Sequence, residues 1–377
     1  MAKEKQKMKV LSVFGTRPEA IKMAPLVKLL KKTEGIKSIV CVTAQHREML
    51  DQVLTQFHIK PDYDLNLMKP GQTLSSITGG VLDGLTEVLK ESNPDLVLVH
   101  GDTTTSMAAA LAAFYQQIAI GHVEAGLRSF DMYSPFPEEM NRCLTSRMAT
   151  LHFAPTESNL DNLKKEGITK NVYVVGNTVI DALMQMVRED YSFKSEALQK
   201  LNLKEGKWVL VTAHRRENLG EPLENICCAV RRLAMEHTDA HFVYPVHLNP
   251  AVRKTVFQLL GGQDRIHLID PIEVEDMHNL MKRAFMVMTD SGGLQEEAPV
   301  LGKPIIVLRT ETERPEVVAA GKAILAGVNE EEVYEAGNLL LTNAEAYKKM
   351  AQAINPYGDG HTCEKIVEII LEYGRRK

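Results

Sequence analysis

Short apolar runs and longer amphipathic stretches take turns along almost the whole chain. Residues 10–14, 38–43, 96–100 and 119–123 are mostly apolar runs, rich in Val, Ile and Leu and too short for helices, and they read as strands buried on both faces. Between and after them, residues 18–32, 46–57, 74–91, 106–116 and 138–149 carry helical spacing, and LHFAPT adds a further strand. Strict alternation of the two kinds predicts a parallel, doubly wound α/β sheet. Beyond the polar residues 202–207 a second series opens with WVLVTAH and continues through HFVYPVH, RIHLID, FMVMTD and PIIVLR, with helices between them.

A chain of 377 residues fits two domains of roughly 150–200 residues each. The boundary is expected near residues 176–181, giving a first domain over 1–176 and a second over 177–360. The turn formers of 355–360 separate EAYKKMAQAI from CEKIVEIILEYG, so the last helix (361–377) is expected to change direction and pack back on the first domain. A formal net charge of −5, with no basic stripe and no interleaved aromatics, argues against nucleic acid as a partner. No apolar run approaches the ~20 residues that would span a membrane. The start, MAKEKQKMKVLSVFG, lacks the apolar region and cleavage site of a secretion signal. Cys41, Cys143, Cys227, Cys228 and Cys363 are scattered and read as structural thiols, which fits a reducing cytoplasm.

Chemistry concentrates at strand ends. In LVLVHGDTTTSMAAALAAFYQQIAIGHVE, two buried strands deliver Asp102 and Glu124 to one sheet edge, where α/β enzymes hold their ligands. Asp102 also suits a helix N-cap, whereas Glu124, followed by Ala125-Gly126, has no cap to make. After the first strand, Arg17 and Lys22 flank a helix start at Pro18 and suit a diphosphate. Glu138 and Glu139 open another helix, with Arg142 a turn later to orient Glu138 or meet an anion. In the second series His214 follows WVLVTA, and Ser291-Gly292-Gly293 forms a glycine turn suited to phosphate. Glu297, a turn into the helix that follows, suits a ribose, and Arg314 adds a cation. No G-x-G-x-x-G fingerprint follows a strand, and the histidines lack metal-ligand spacing, so neither a dinucleotide cofactor nor a metal is expected.

Ten segments together resemble the bacterial non-hydrolysing UDP-N-acetylglucosamine 2-epimerases: FGTRPEAIKMAPL, VTAQHREMLDQVL, VHGDTTT, GHVEAGLRS, SPFPEEMNR, GNTVIDAL, TAHRREN, YPVHLNP, TDSGGLQEEAPVLGKP and ERPE. The resemblance spans nearly the whole chain. It implies a GT-B-like fold of two Rossmann-like domains with the active site in the interdomain cleft, a homodimer, no cofactor, and interconversion of UDP-GlcNAc and UDP-ManNAc for cell-envelope polysaccharides. Carried over by position, it makes Asp102, Glu124 and Glu138 the acid/base groups, assisted by Arg142 and His214. Arg17, Lys22, Asp102, Glu124, His214, Ser291, Gly292, Gly293, Glu297 and Arg314 would bind substrate, with Ile272 and Met277 standing near the base where some relatives have Gln and Phe. Gln45, His46, Gln72 and His247 match a site at which some members bind UDP-GlcNAc as an allosteric activator, although Gly71 replaces an Arg carried by some regulated members. The alternatives are a hydrolysing epimerase releasing ManNAc, a GT-B glycosyltransferase, and a non-catalytic nucleotide-sugar sensor.

Overall fold

The computed structural model describes residues 7–44, 47–68, 71–312 and 314–376. The chain forms two compact units: one runs to Ala182 and resumes at Tyr357, and the other is Leu183–Pro356. Each is a Rossmann-like parallel sheet flanked by helices, the pair of domains of a GT-B-like chain.

In the first unit the strands are β1 (Met8–Phe14), β2 (Ile36–Val42), β3 (Tyr63–Asp64), β4 (Leu96–His100), β5 (Ala119–Val123), β6 (Leu151–Ala154) and β7 (Val172–Val174). They lie in the order β3-β2-β1-β4-β5-β6-β7, and every described pairing is parallel. All five residues of both β4 and β5 are buried, which explains sequences that are apolar but for His100 and His122. Leu85 and Leu89 of the Leu74–Ser92 helix pack with Ala108, Ala109 and Ala112 of the Thr104–Tyr115 helix in one fully buried layer. Alanines there let two helices approach closely, and each buried Leu adds ~1.5–3 kcal/mol.

The second unit holds β8 (Lys207–Thr212), β9 (Ala240–Pro245), β10 (Ile266–Ile269), β11 (Met286–Thr289), β12 (Ile305–Val307) and β13 (Ala323–Leu325), in the order β10-β9-β8-β11-β12-β13. Both sheets therefore start in the middle and reverse direction there, between β1 and β4 and between β8 and β11. In such sheets ligands bind at the strand C-termini beside that reversal.

The final helix, Thr362–Arg376, buries Cys363, Ile366, Val367 and Ile370 and packs on the Arg17–Lys32 helix of the first unit. Its first turn is fixed by buried Asp181, which accepts the Cys363 N–H at 2.8 Å and the Thr362 N–H at 3.3 Å. Among the described residues no helix is long and apolar enough to cross a membrane.

Candidate functional site

At the end of β4 the chain turns through Gly101 and Asp102 into Thr103. The Thr103 hydroxyl accepts the Ser106 N–H at 3.1 Å, so Thr103 caps the helix and Asp102 is released from that task. Asp102 is held instead by the Glu138–Met148 helix. Arg142 Nη2 donates to Asp102 Oδ2 at 2.7 Å, and Asn141 Nδ2 to its backbone carbonyl at 2.9 Å. Burial raises the Asp102 carboxyl from 3.8 to about 6; Arg142 pulls it down, while Glu124 and Glu138 push it further up. A carboxyl poised near 6 can both accept and release a proton at neutral pH.

Glu124 ends β5, the strand beside β4, with φ +64°. Left-handed backbone costs a residue with a side chain ~1–2 kcal/mol, so the surroundings must hold it there. They do: Lys22 Nζ lies 2.5 Å and Asn177 Nδ2 3.0 Å from Oε1, while His100 Nε2 sits 3.5 Å from Oε2. Gly101, also at φ +64°, makes room, since a Cβ there would stand 3.3 Å from Oε2. His100 is buried, and burial lowers its pKa, leaving a neutral imidazole against the carboxylate. Below it, His122 Nε2 meets the Gly101 carbonyl at 2.8 Å; burial takes its pKa down to about 3, so the neutral ring donates. Lys22, expected beside a diphosphate, thus meets a carboxylate in this structure.

The turn carrying Arg17 is organised by Glu19, two positions further on. Glu19 Oε2 accepts from Gly15 N at 3.1 Å and from Thr16 N and Thr16 Oγ1 at 2.8 Å. Its Oε1 accepts from Thr103 Oγ1 at 2.7 Å and Ser106 Oγ at 2.9 Å. One buried carboxylate therefore joins the β1 turn to the β4 turn. Thr16-x-x-Glu19 is the sequence signature of a capping box and was legible as such. Arg17, half-buried at the helix start, forms no ion pair with any described residue. Glu138 is half-buried at the first position of its helix. Its neighbour Glu139 is fully enclosed and accepts the Ser129 and Phe130 N–H groups, both at 3.0 Å, with Arg142 Nη1 at 3.3 Å. Arg142 is thus brought to Asp102 and Glu139 rather than to Glu138.

In the second unit, Asp290 at the end of β11 plays the stitching role. Its Oδ2 accepts from His214 N at 2.7 Å, Arg215 N at 2.8 Å and Asn218 Nδ2 at 3.1 Å, fixing the turn after β8. The His214 ring stacks on His247, centroids 5.0 Å apart and 5° from parallel, and its pKa is lowered chiefly by burial. Ser291 precedes the short Gly292–Glu297 helix, where a Cβ on Gly292 would lie 3.6 Å from Arg215 Nη2 and one on Gly293 would meet little. Glu297 receives His278 Nε2 at 3.2 Å. His278 belongs to the Val274–Arg283 helix, which also carries Met277 and follows Ile272, both half-buried. Arg314, expected to serve an anion, is ion-paired with buried Glu296. Of the four activator candidates, His247 is on the His214 ring, Gln72 donates to the Leu67 carbonyl, and Gln45 and His46 lie outside the described residues. Among the described residues no group of three or more His, Cys, Asp or Glu side chains is arranged to hold a metal ion.

Comparison with known proteins shows the family. A family model described as UDP-N-acetylglucosamine 2-epimerase matches residues 28–371. The chain is 58% identical over 374 residues to UDP-N-acetylglucosamine 2-epimerase of Bacillus subtilis, covering 99% of this chain and 97% of that protein. It is 52% identical over 370 residues to the Escherichia coli K12 enzyme of that name, covering 96% and 98%. Among solved structures, UDP-GlcNAc 2-epimerase of Neisseria meningitidis bound to UDP-GlcNAc superposes with a TM-score of 0.82 at 51% identity, covering 97% of this chain and 100% of that one.

Proposed function

Because the chain belongs to the UDP-N-acetylglucosamine 2-epimerase family, we propose that it interconverts UDP-GlcNAc and UDP-ManNAc by eliminating UDP and adding it back. The C2 hydrogen of GlcNAc has no carbonyl to acidify it, so direct deprotonation is prohibitive. As the C1–O bond to UDP loosens, its electron pair leaves with the diphosphate and C1 becomes oxocarbenium-like. The C2 proton is then acidic enough for a carboxylate to take, and the C2–H electrons form the C1=C2 bond of a glycal. Return of UDP to C1, with a proton delivered to the opposite face of C2, inverts that centre and restores every atom. The route calls for carboxylates on both sugar faces and donors on the leaving diphosphate; it requires no hydride carrier and no metal.

The observation that carries this reading is the pair Asp102 and Glu124 at the ends of adjacent strands, one carboxyl raised to about 6 and the other pinned by Lys22 and Asn177. Asp102, Glu124 and Glu138 form the acid/base set, with Arg142 orienting Asp102. Arg17, His214, the Ser291–Gly293 turn, Glu297 and Arg314 supply donors and acceptors for UDP, with Ile272 and Met277 toward the base. The product feeds cell-envelope polysaccharide synthesis, the enzyme acts in the cytoplasm as a homodimer, and Gln45, His46, Gln72 and His247 receive a second UDP-GlcNAc as activator.

Incubation with UDP-GlcNAc in deuterium oxide tests the reading. UDP-ManNAc carrying deuterium at C2 is the expected product. Product without solvent deuterium refutes proton exchange, free ManNAc identifies a hydrolysing enzyme, and binding without turnover identifies a sensor.

A further inference from the structure

We propose that Asn177 is a positioning residue for Glu124, tying the acid/base edge to the place where the chain leaves and re-enters the first unit; the proposal rests on the epimerase reading above. Asn177 is buried, and both ends of its amide are committed. Its Oδ1 accepts the Val179 N–H at 3.0 Å, which leaves Nδ2 to donate to Glu124 Oε1 at 3.0 Å. The amide orientation is therefore fixed by its own backbone, and an acceptor in place of Nδ2 would confront a carboxylate.

The Asn177 backbone is held as tightly. Its N–H donates to the Tyr357 carbonyl at 2.8 Å, and its carbonyl accepts from Thr362 Oγ1 at 3.4 Å. Gly176 just before it sits at φ +101°, and a Cβ there would come within 2.6 Å of Thr362 Oγ1 and 3.1 Å of the Tyr357 carbonyl. Outgoing and returning chain thus clasp one residue whose side chain ends on Glu124. The carboxylate needs such an anchor, because its own backbone is left-handed and Lys22 on a flexible stem sets charge but not direction. A neutral amide supplies direction without altering the charge, and displacement of either crossing is passed to Glu124 Oε1 through a single rigid group.

Asn177→Asp is the decisive variant. It is isosteric, keeps an oxygen for the Val179 N–H, and leaves every backbone bond of the clasp in place. It puts an anion where Nδ2 was, so the Glu124 carboxyl should titrate at least one pH unit higher. Carbon-13 NMR of glutamate-labelled protein follows that carboxyl in wild type and variant without any need for turnover. In the same samples kcat for UDP-GlcNAc should fall at least tenfold, with the UDP Kd within twofold of wild type. Gly176→Ala should lower kcat in the same direction, and the Gly176→Ala/Asn177→Asp double variant should lose less than the product of the two single losses. A Glu124 titration and kcat unchanged in Asn177→Asp would overturn the proposal, as would a loss of UDP affinity and melting temperature in step with kcat. An inactive wild type would instead overturn the epimerase reading, and the NMR titration would still decide the role of Asn177.

Discussion

Replacing Arg142 by Gln tests whether the Asp102 carboxyl is tuned as the structure indicates. Gln retains an amide donor toward Asp102 and Glu139 but removes the positive charge now 2.7 Å from Asp102 Oδ2. Two unit charges ~4 Å apart interact by ~4 kcal/mol at an effective dielectric of about 20. The Asp102 side chain is 28% exposed, so solvent screening brings this to roughly 2 kcal/mol, or about 1.5 pH units. The sign is fixed: the cation favours the ionised form, so its loss raises a carboxyl already near 6 to roughly 7.5. At pH 7 the ionised fraction would drop from roughly nine-tenths to about one-quarter. The assay is the pH profile of kcat/KM for UDP-GlcNAc, which reports ionisations of the free enzyme. Whether Asp102 gives or takes the proton, the limb near 6 should move up by a unit or more, and Asp102→Asn should abolish that limb. A profile for Arg142→Gln that overlays the wild type would refute the tuning argument.

Three further outcomes follow from the same geometry. Asp102→Asn should still bind UDP yet lose on the order of 10²–10⁴ in turnover, about 3–5.5 kcal/mol, and near wild-type turnover in the deuterium assay would remove Asp102 from the acid/base set. Arg17→Ala should weaken UDP binding about tenfold or more with little change in melting temperature; an unchanged Kd by calorimetry would contradict its role. Glu19→Ala strips the shared acceptor from five donors; the Ser106 hydroxyl keeps the His100 carbonyl at 2.6 Å, but leaving the buried Gly15 and Thr16 donors unsatisfied costs ~1–3 kcal/mol each, so thermal unfolding should show a loss of several kcal/mol. A melting curve within a degree of wild type would show that this stitch is dispensable.

Most of the fold is written in the apolar runs, because parallel strands buried on both faces tolerate little else. The strands not anticipated are β3, β7 and β13, two or three residues each at sheet edges, with Tyr63, Val172 and Tyr173 only partly covered. Such strands exist through pairing with a neighbour, and that has no local signature. Asp102, Glu124 and His214 were legible as polar residues ending apolar strands. What they touch was not. Lys22 reaches Glu124 from a helix 102 positions away, and Arg314 finds Glu296 rather than open space. Nothing local singles out Asn177; only the fold brings Tyr357, Thr362 and Glu124 around it.

The two sheets solve one problem in opposite directions. Where a parallel sheet reverses, the turns after its two central strands diverge and leave a crevice, with backbone N–H groups exposed on both sides. In the first unit a carboxylate from the β1 side, Glu19, reaches across to Thr103 and Ser106 beside Asp102. In the second unit a carboxylate from the β11 side, Asp290, reaches back to the N–H groups of His214 and Arg215. Each acid is buried and gathers several donors, Glu19 through both oxygens and Asp290 through Oδ2, which makes it a rigid brace. The groups assigned to chemistry stand one or two residues away and are left partly open: Arg17 and Asp102 beside the first brace, His214 and Ser291 beside the second. Division of labour between a sealed carboxylate and an open neighbour lets the edge stay precise while Asp102 remains free to change its protonation state. It follows that exchanging the sealed acids should cost stability before chemistry, and exchanging the open groups chemistry before stability. A Glu19→Gln variant that kept its melting temperature yet lost turnover as fully as Asp102→Asn would break that division.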